Sequence, residues 1–493
     1  MKKFFYLYLV CVSALSVFAY FFMPWALVLL VVLLPLAIVG LRDLWQNSHA
    51  IKKNYPIVGN LRYLLEEIRP EINQYFIESN TEGRPFSREA RSIVYQRAKK
   101  QVDTIAFGTQ QNFYEEGYEF VTHSLYPTHI DPKTLRVQIG SKLCTRPYSA
   151  SLLNISAMSY GSLSKNAILS LNGGARDGEF AHNSGEGGLS PHHLKNGGDI
   201  IWQIGTGYFG CRDEEGKFDP DYFKLNALRP EVKMIEIKLS QGAKPGHGGI
   251  LPARKVTEEI SKIRNVPMNK DVISPPGHSA FHDPESMIRF IQRLRGLSGG
   301  KPIGIKMCLG HAHEFDGLID SMKKLELYPD FIVVDCAEGG TGAAPLEFSN
   351  HIGTPGKDAL IYVADKLQEA GLRDEIKIIA TGKVATAFDL VRLLCLGADA
   401  VYSARSMLLA LGCIQALKCN TNNCPTGIAT QNPDLAQGLH VPSKRLRVKN
   451  YHQETLKIVA EMLGAMGLKS HKDLNRSHLY RRLHNSEIRS YAD

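Results

Sequence analysis

Residues 4 to about 41 are almost entirely apolar, from Phe4 to Leu41, with Pro24 interrupting the run near its middle. One bilayer crossing takes ~20 apolar residues. The run holds nearly two, with Pro24 and Trp25 as the turn between them. Lys2 and Lys3 precede it, and Arg42, Lys52 and Lys53 follow it. Positive charge at both ends favours a cytoplasmic position for both. The stretch is too long for a cleaved signal peptide, and no small-x-small site follows a short apolar core. The expectation for residues 1–42 is therefore a transmembrane hairpin of two helices, with the rest of the chain anchored on the cytoplasmic side.

Beyond it the pattern changes twice. Residues 43–150 mix charged and apolar positions at helix-like intervals, as in Glu66–Ile77 and Ser87–Lys100, and predict a mostly helical prelude. From Leu152 on, short apolar runs alternate with glycine-rich loops and longer amphipathic stretches. Eight candidate strands emerge: Leu152–Ala157, Glu179–Asn183, Ile200–Ile204, Met234–Leu239, Ile303–Met307, Phe331–Asp335, Ile376–Ala380 and Ala400–Ser403. Helical patterns such as Pro284–Leu297, Gly317–Leu325, Lys357–Gly371 and Ala385–Leu396 fill most gaps. Alternating strand and helix predicts a parallel sheet, and eight such units match an α/β fold of the (β/α)8 TIM-barrel type over residues 151–435. A doubly wound open sheet is the runner-up. It is disfavoured because no Gly-x-Gly-x-x-Gly follows the first strand. Residues 436–493 read as a basic helical extension.

Composition alters this picture little. The 493 residues are 44% hydrophobic, ample for one large core or two domains. The formal charge of +9 is a mild excess, and much of it sits late, at Lys444, Arg445, Arg447, Lys449, Arg481, Arg482 and Arg489. Such a face is either simply solvated or a contact for anionic lipid headgroups or an acidic electron-transfer partner. No zinc-finger spacing and no aromatic-interleaved basic run speaks for nucleic acid. Six of nine cysteines are scattered, several of them in apolar strand-like runs, which suits a reducing compartment rather than a disulfide framework. The other three, Cys413, Cys419 and Cys424, are separated by five and then four residues, and Pro425 follows the last. Ordinary buried thiols are one reading. The other is an iron–sulfur site, since thiolate is the soft ligand such clusters need, and three ligands would suit a three-iron cluster.

In a (β/α)8 barrel the active site gathers at the C-terminal ends of the strands. The polar and glycine residues expected there are Ala157, Met158 and Ser159 after strand one, Glu186 after strand two, and Gln203 at the end of strand three. Strand four and its loop supply Lys238, Lys244 and His247, strand five Lys306, and the strand-six end Asp335, Gly339, Gly340 and Thr341. Gly382 and Lys383 follow strand seven, and Ala404 and Arg405 follow strand eight. Glycines let backbone N–H groups approach a ligand, and the last two loops commonly build a phosphate site.

Six co-linear stretches then carry a resemblance. They include Ser156-Ala-Met-Ser-Tyr-Gly-Ser, Asn183-Ser-Gly-Glu-Gly-Gly, Ile237-Lys-Leu-Ser-Gln-Gly-Ala-Lys-Pro-Gly, Ser274-Pro-Pro, Gly339-Gly-Thr-Gly-Ala-Ala-Pro-Leu and Cys419-Asn-Thr-Asn-Asn-Cys-Pro-Thr-Gly. Residues from about 150 to 435 resemble the FMN-binding synthase domain of the glutamate synthase large subunit. The resemblance implies an FMN-binding barrel with a 3Fe-4S cluster on Cys413, Cys419 and Cys424, and reductive amination of 2-oxoglutarate through 2-iminoglutarate. The expected cofactor-binding residues, from their places at the strand ends and, for Lys238, also from the resemblance, are Ala157, Met158, Ser159, Gln203, Lys238, Gly339, Gly340, Thr341, Gly382, Lys383, Ala404 and Arg405. Lys238, Lys244 and Glu186 are the expected catalytic residues, and Lys244, Arg264 and His247 the expected substrate contacts.

Three departures accompany it. His247 stands where the family has a carboxylate, Ile250 stands where it has an amide, and Ala380-Thr-Gly382 replaces Asp-Gly-Gly. No counterpart of the family's amidotransferase or β-helix domain is visible, nor a dinucleotide fingerprint. Ammonia or another amine is expected from outside, and electrons from a ferredoxin or flavoprotein partner. Two alternatives remain: a related oxidoreductase acting on a different oxo acid or amine, and a non-catalytic flavin and iron–sulfur electron relay at the membrane.

Overall fold

The computed structural model describes residues 2–22, 25, 27–101, 104–484 and 486–493. The chain divides into two compact units, Met1–Gly83 and Arg84–Asp493.

The first unit begins with the helix Lys2–Phe22 and the helix Leu27–Trp45. Both are long and apolar enough to cross a membrane. They lie side by side, with the Tyr8 hydroxyl donating to the Leu33 carbonyl at 2.6 Å. Large apolar side chains such as Phe4, Val10, Phe21, Val31 and Ile38 remain exposed around them. Helices apolar on all sides suit lipid better than water. Pro24, expected at the turn, lies outside the described residues, whereas Trp25 is described and exposed. After Trp45 the Asp43 carboxylate accepts from the Ile57 backbone N–H at 2.9 Å and from the Asn60 side chain, which fixes the entry into the helix Gly59–Ile72.

The second unit is built on a closed barrel of eight parallel strands. In chain order these are β1 (Leu153–Ile155), β2 (His182–Asn183), β3 (Ile200–Ile204), β4 (Val232–Lys238), β5 (Ile303–Met307), β6 (Phe331–Asp335), β7 (Lys377–Thr381) and β8 (Ala400–Ser403). Each strand pairs with the next, and β8 closes on β1 through Val401 opposite Leu153. Strands β3, β5, β6 and β8 are buried along their whole length, as a sheet covered by helices on one face and filled by side chains on the other must be. The second strand starts later than the apolar pattern suggested. Glu179 takes a left-handed conformation (φ 56°) and caps the helix Lys165–Gly178 instead.

At the N-terminal end of the barrel, Asp330 is fully buried. It pairs with Arg295 at 3.1 Å and accepts from Ser141 and from the Ile303 backbone N–H at 2.8 Å, tying β5 to β6. These bonds serve stability at this end of the barrel.

Ahead of the barrel the helix Arg88–Lys99 starts at Ser87, whose side chain accepts from the Ala90 N–H. From 119 to 151 the chain carries short strands, Glu119–Val121, Arg136–Ile139 and Tyr148–Ser151, in place of further helix. After the barrel the helix Val441–Ala465 packs along Lys165–Gly178. A Cβ at Gly174 would lie 2.6 Å from Val448, so the close approach needs glycine there. The hairpin Leu479–His484 and Glu487–Ser490 then pairs with Glu119–Val121. Several of the late basic residues are engaged: Arg445 pairs with Asp177, Arg489 with Glu487, and Arg482 donates to the Phe113 carbonyl.

Candidate active site at the barrel mouth

Loops after the strands enclose a cavity of about 200 Å³ at the C-terminal mouth. Ala157, Met158, Ser159, Glu186, Gln203, Lys238, Lys244, Lys306, Gly340, Thr341, Ala404 and Arg405 all line it. Most of the expected site residues therefore converge, although they span some 250 positions of chain. Parallel strands put their ends on one rim, and the loops that follow them meet there.

The centre of the charge network is a pair. Lys238 Nζ donates to Glu186 Oε1 at 2.7 Å and to Gln241 Oε1 at 3.0 Å. A Cβ at Gly205 would lie 2.5 Å from Glu186 Oε2, and one at Gly249 would lie 2.6 Å from Oε1, so both glycines make room for the carboxylate. Burial pushes the Glu186 carboxyl up, but the Lys238 charge and hydrogen bond, helped by Arg264 and Lys244, outweigh it and hold the group below its ordinary value. Glu186 is thus a half-buried, ionised carboxylate in contact with the cavity.

Below this pair the barrel interior is polar. Gln203 donates to Glu236, and Lys306 lies 3.3 Å from Asp335. Asp335 also accepts from the Gly242 N–H at 2.8 Å, which draws the β4 loop onto β6. Burial raises the Glu236 carboxyl, and the Lys306 charge only partly offsets it. Burial lowers Lys306, while Asp335 and Glu236 raise it to a net upward shift. Glu236 is absent from the residues singled out in the sequence. It was within reach there, since it precedes Lys238 by two positions on a strand and so shares its face.

A second, larger cavity of about 790 Å³ runs beside the first. Gly339, Gly340, Thr341, Lys383 and Arg405 line it, as do Cys413, Cys419 and Cys424. Arg405 lines both cavities, donates to the Glu338 carbonyl at 2.7 Å and lies over the Phe86 ring. Two cations with the Gly339–Gly340 backbone at the ends of β6, β7 and β8 fit the anionic tail of a nucleotide such as FMN. Gly382 lines neither cavity. It turns the chain after β7 with a φ of +124° and packs on Cys336.

The cysteine loop fits a thiolate-held group. All three cysteines line one cavity, and Cys419 lines both. Burial raises the Cys424 thiol, yet backbone N–H groups of Ala429, Thr426 and Ile428 and the Thr426 hydroxyl bring it below its ordinary value. The turn after Cys424 thus favours thiolate at that position, whereas burial pushes the Cys413 thiol up to about 11 and also raises Cys419. Among the described residues no three His, Cys, Asp or Glu side chains are grouped closely enough to hold a metal ion.

Two substrate-side residues behave differently from the expectation. Arg264 is buried but does not line the mouth cavity. Its Nη2 donates to the Tyr160 carbonyl at 3.0 Å, and its guanidinium lies over the Phe209 ring at 5.1 Å. His247 also lies off the cavity, its Nδ1 against the Gly248 carbonyl at 3.0 Å and its ring edge-on to Phe348. Ile250 does line it.

Lys255 is a residue the sequence did not reveal. An Arg-Lys pair before a helix reads as surface charge, but Lys255 is 2% exposed. Its Nζ donates to the carbonyls of Ser162, Cys419 and Ala429 at 3.1, 2.9 and 3.0 Å. Arg254 Nη2 donates to the Asn420 carbonyl at 2.7 Å. The two side chains tie the cysteine loop to the loop that follows β4.

A closed parallel barrel with a carboxylate–lysine pair at its C-terminal mouth defines the class: a (β/α)8-barrel protein whose polar site opens where such enzymes carry theirs. A sequence model of the conserved region in glutamate synthase matches residues 95–469, and this chain belongs to that family. It is 37% identical over 491 residues to the glutamate synthase large subunit-like protein YerD of Bacillus subtilis, across 91% of this chain and 93% of that protein. It is 35% identical over 359 residues to the archaeal glutamate synthase (NADPH) of Methanocaldococcus jannaschii, across 72% of this chain and 66% of that one. With the archaeal-type glutamate synthase (NADPH) of Thermotoga maritima the identity is 36% over 320 residues, spanning 64% of this chain and 60% of the relative.

Proposed function

We propose that the protein is a membrane-anchored oxidoreductase of the glutamate synthase type, which reductively aminates a 2-oxo acid using FMN and a 3Fe-4S cluster. The single observation that carries this reading is that Cys419 and the Glu186–Lys238 pair line one cavity. An electron inlet and a proton-transferring group then share the space in which a substrate would sit. The family resemblance implies 2-oxoglutarate as the oxo acid and ammonia as the amine, with electrons from a ferredoxin or a flavoprotein.

The reaction needs condensation of the 2-oxo group with ammonia, with loss of water, to a 2-imino acid. Addition of a hydride at C2 and a proton at nitrogen then gives the amino acid. When bound, FMN would supply that hydride, recharged by electrons that enter through the cluster. The chain's own part is placement and proton handling. Lys244 pairs with the substrate carboxylate. Ionised Glu186 accepts a proton from the attacking nitrogen at its carboxylate oxygen, and the Lys238 ammonium on Oε1 keeps it charged and oriented. Arg405 and Lys383 would hold the FMN phosphate, and Cys413, Cys419 and Cys424 the cluster. The two N-terminal helices would anchor the chain with both ends cytoplasmic, in keeping with Lys2, Lys3, Arg42, Lys52 and Lys53.

Anaerobically purified full-length protein is expected to show a flavin absorbance band and to oxidise a reduced dye only when a 2-oxo acid and ammonia are both present. Cys419→Ala is expected to lose iron. Absence of flavin, or unchanged iron in that variant, would remove the corresponding cofactor from the reading.

A further inference from the structure

In the first unit one helix turns its apolar side outward. Along Gly59–Ile72, Leu61, Leu64, Leu65 and Ile68 recur at helical spacing, and Ile72, Tyr75 and Phe76 carry the row on into Asn73–Ile77. Positions three and four apart share one side of a helix, so these residues form a single stripe. The three leucines and Ile68 are 40% to 55% exposed, and Phe76 is 85% exposed. The opposite side is the one that packs. The Tyr63 ring meets the His49 ring edge-on at 4.9 Å and lies under the Lys52 ammonium at 4.6 Å. A Cβ at Gly59 would lie 3.0 Å from the Ile51 carbonyl oxygen, so the helix starts hard against Ala50–Asn54 on that side. Arg62 and Glu66 pair at 2.9 Å there as well. A helix in water buries its leucines and leaves its charges out; this one does the reverse.

What covers the stripe follows from where the helix begins. Asp43, near the end of the helix Leu27–Trp45, is 3% exposed and accepts from the Ile57 N–H at 2.9 Å and from the Asn60 side chain. Leu61 therefore starts the stripe directly beside the end of an apolar helix whose own side chains, such as Val31, Val32 and Ile38, are exposed. A bilayer around that helix places its surface at this point. The stripe cannot itself cross one. Fourteen residues reach only about 20 Å, short of the ~30 Å hydrocarbon core, and Glu66, Glu67 and Glu71 lie within them. Nor does charge select an anionic surface, because Arg62 and Arg69 stand against those three carboxylates. Apolar burial is what remains to hold the helix there.

We propose that residues 59–77 form an in-plane helix on the lipid bilayer, at the surface where the second apolar helix ends. Leu61, Leu64, Leu65, Ile68 and Phe76 sink about 5–10 Å, to the boundary of headgroups and acyl chains. Tyr63 and Glu66 stay on the water side. This rests on the membrane-anchored reading above and extends it from a hairpin that crosses to a third helix that lies flat.

The test uses reporter tryptophans in the full chain, reconstituted into phosphatidylcholine vesicles without anionic lipid. Bromine on the acyl chains quenches indole emission on contact. Trp25→Phe and Trp45→Phe clear the background, since the remaining tryptophan, Trp202, is fully buried in the barrel. Val32→Trp then reports the hairpin, Leu64→Trp and Ile68→Trp the stripe, and Glu66→Trp the other side of the same helix. All four positions are exposed, so the new rings displace no core. Brominated lipid is expected to remove roughly half or more of the added emission at Val32, Leu64 and Ile68, and at most about a fifth at Glu66. Quenching at Val32 with none at Leu64 and Ile68 would overturn the in-plane helix and leave the anchor standing; a second copy of the chain seated on the stripe gives that result. Equal quenching at Leu64 and Glu66 would overturn it too, because the helix would then show lipid no preferred side. Absence of quenching at Val32, Leu64 and Ile68 together would overturn the membrane-anchored reading as well.

Discussion

Lys255→Met should loosen the cysteine loop more than any other part of the molecule. The side chain gives three hydrogen bonds from one ammonium, to Ser162, Cys419 and Ala429. A hydrogen bond with a charged partner contributes about 1.5–3 kcal/mol net, so three amount to roughly 4.5–9 kcal/mol. Against this stands the cost of burying the charge. Burial pushes the Lys255 pKa down to about 8, with Cys419 and Cys424 pulling it back up. Relative to an unperturbed lysine that shift corresponds to about 3 kcal/mol. The remainder, roughly 1.5–6 kcal/mol, is the expected loss on substitution. Local opening governed by a loss of about 1.5 kcal/mol exchanges amide hydrogens about tenfold faster. Hydrogen exchange measured by mass spectrometry on peptides covering residues 413–431 reads this directly, with peptides from β5 and β6 as the internal standard. Lys255→Arg keeps the charge and should recover part of the protection. Exchange in 413–431 within threefold of the unmodified protein, in a folded Lys255→Met variant, would refute the clamp.

Glu186→Gln keeps the shape of the carboxylate and removes its charge, so turnover with the best 2-oxo acid should fall by about 10²–10⁴-fold while flavin and iron contents stay unchanged. A dye-coupled assay showing less than a fivefold fall would exclude Glu186 from proton transfer. Acid should destabilise the barrel through two buried neutral histidines. His193 sits between Ser190 and the Met158 carbonyl, and His452 stacks on Phe180 beside Ser151. Burial lowers them to about 4 and about 3, with the Met158 and Leu153 carbonyls pulling back up. The unfolded chain therefore binds more protons between pH 6.5 and those values, and stability falls as the pH falls. At pH 5 the loss is about 2 kcal/mol for each histidine relative to pH 8, and urea midpoints should drop accordingly, with a flatter profile in His452→Gln.

Where the fold was legible in the sequence, the reason lies in burial on both faces. Strands β3, β5, β6 and β8 match the apolar runs Ile200–Ile204, Ile303–Met307, Phe331–Asp335 and Ala400–Ser403 end for end. A parallel strand covered by helices is apolar along most of its length, with polar residues such as Gln203, Lys306 and Asp335 confined to the end at the mouth, and the turn after it marks the boundary. The residues at the mouth were legible for the same reason, because a polar residue at the end of such a run has only the rim to occupy. What these side chains bond to was not legible. Arg264 and Lys255 stand nine positions apart on one loop and helix, yet neither does what its charge suggests. Arg264 turns inward onto Tyr160 and away from the cavity, and Lys255 leaves the surface for carbonyls as far as 174 positions away in the chain. Both outcomes are decided by which distant loop packs nearby, and no local pattern encodes that.

The same tertiary packing makes one assembly of the electron side and the substrate side. Lys244 and Ile250 line the substrate cavity, and Arg254 and Lys255, only a few residues further on, grip the backbone at Cys419 and Asn420. An anion arriving at Lys244 meets a loop whose far end is bonded to the cysteine loop. Disturbing the Lys255 clamp should therefore weaken 2-oxo acid binding, read by calorimetric titration of the flavin-loaded chain, as well as loosen the cysteines.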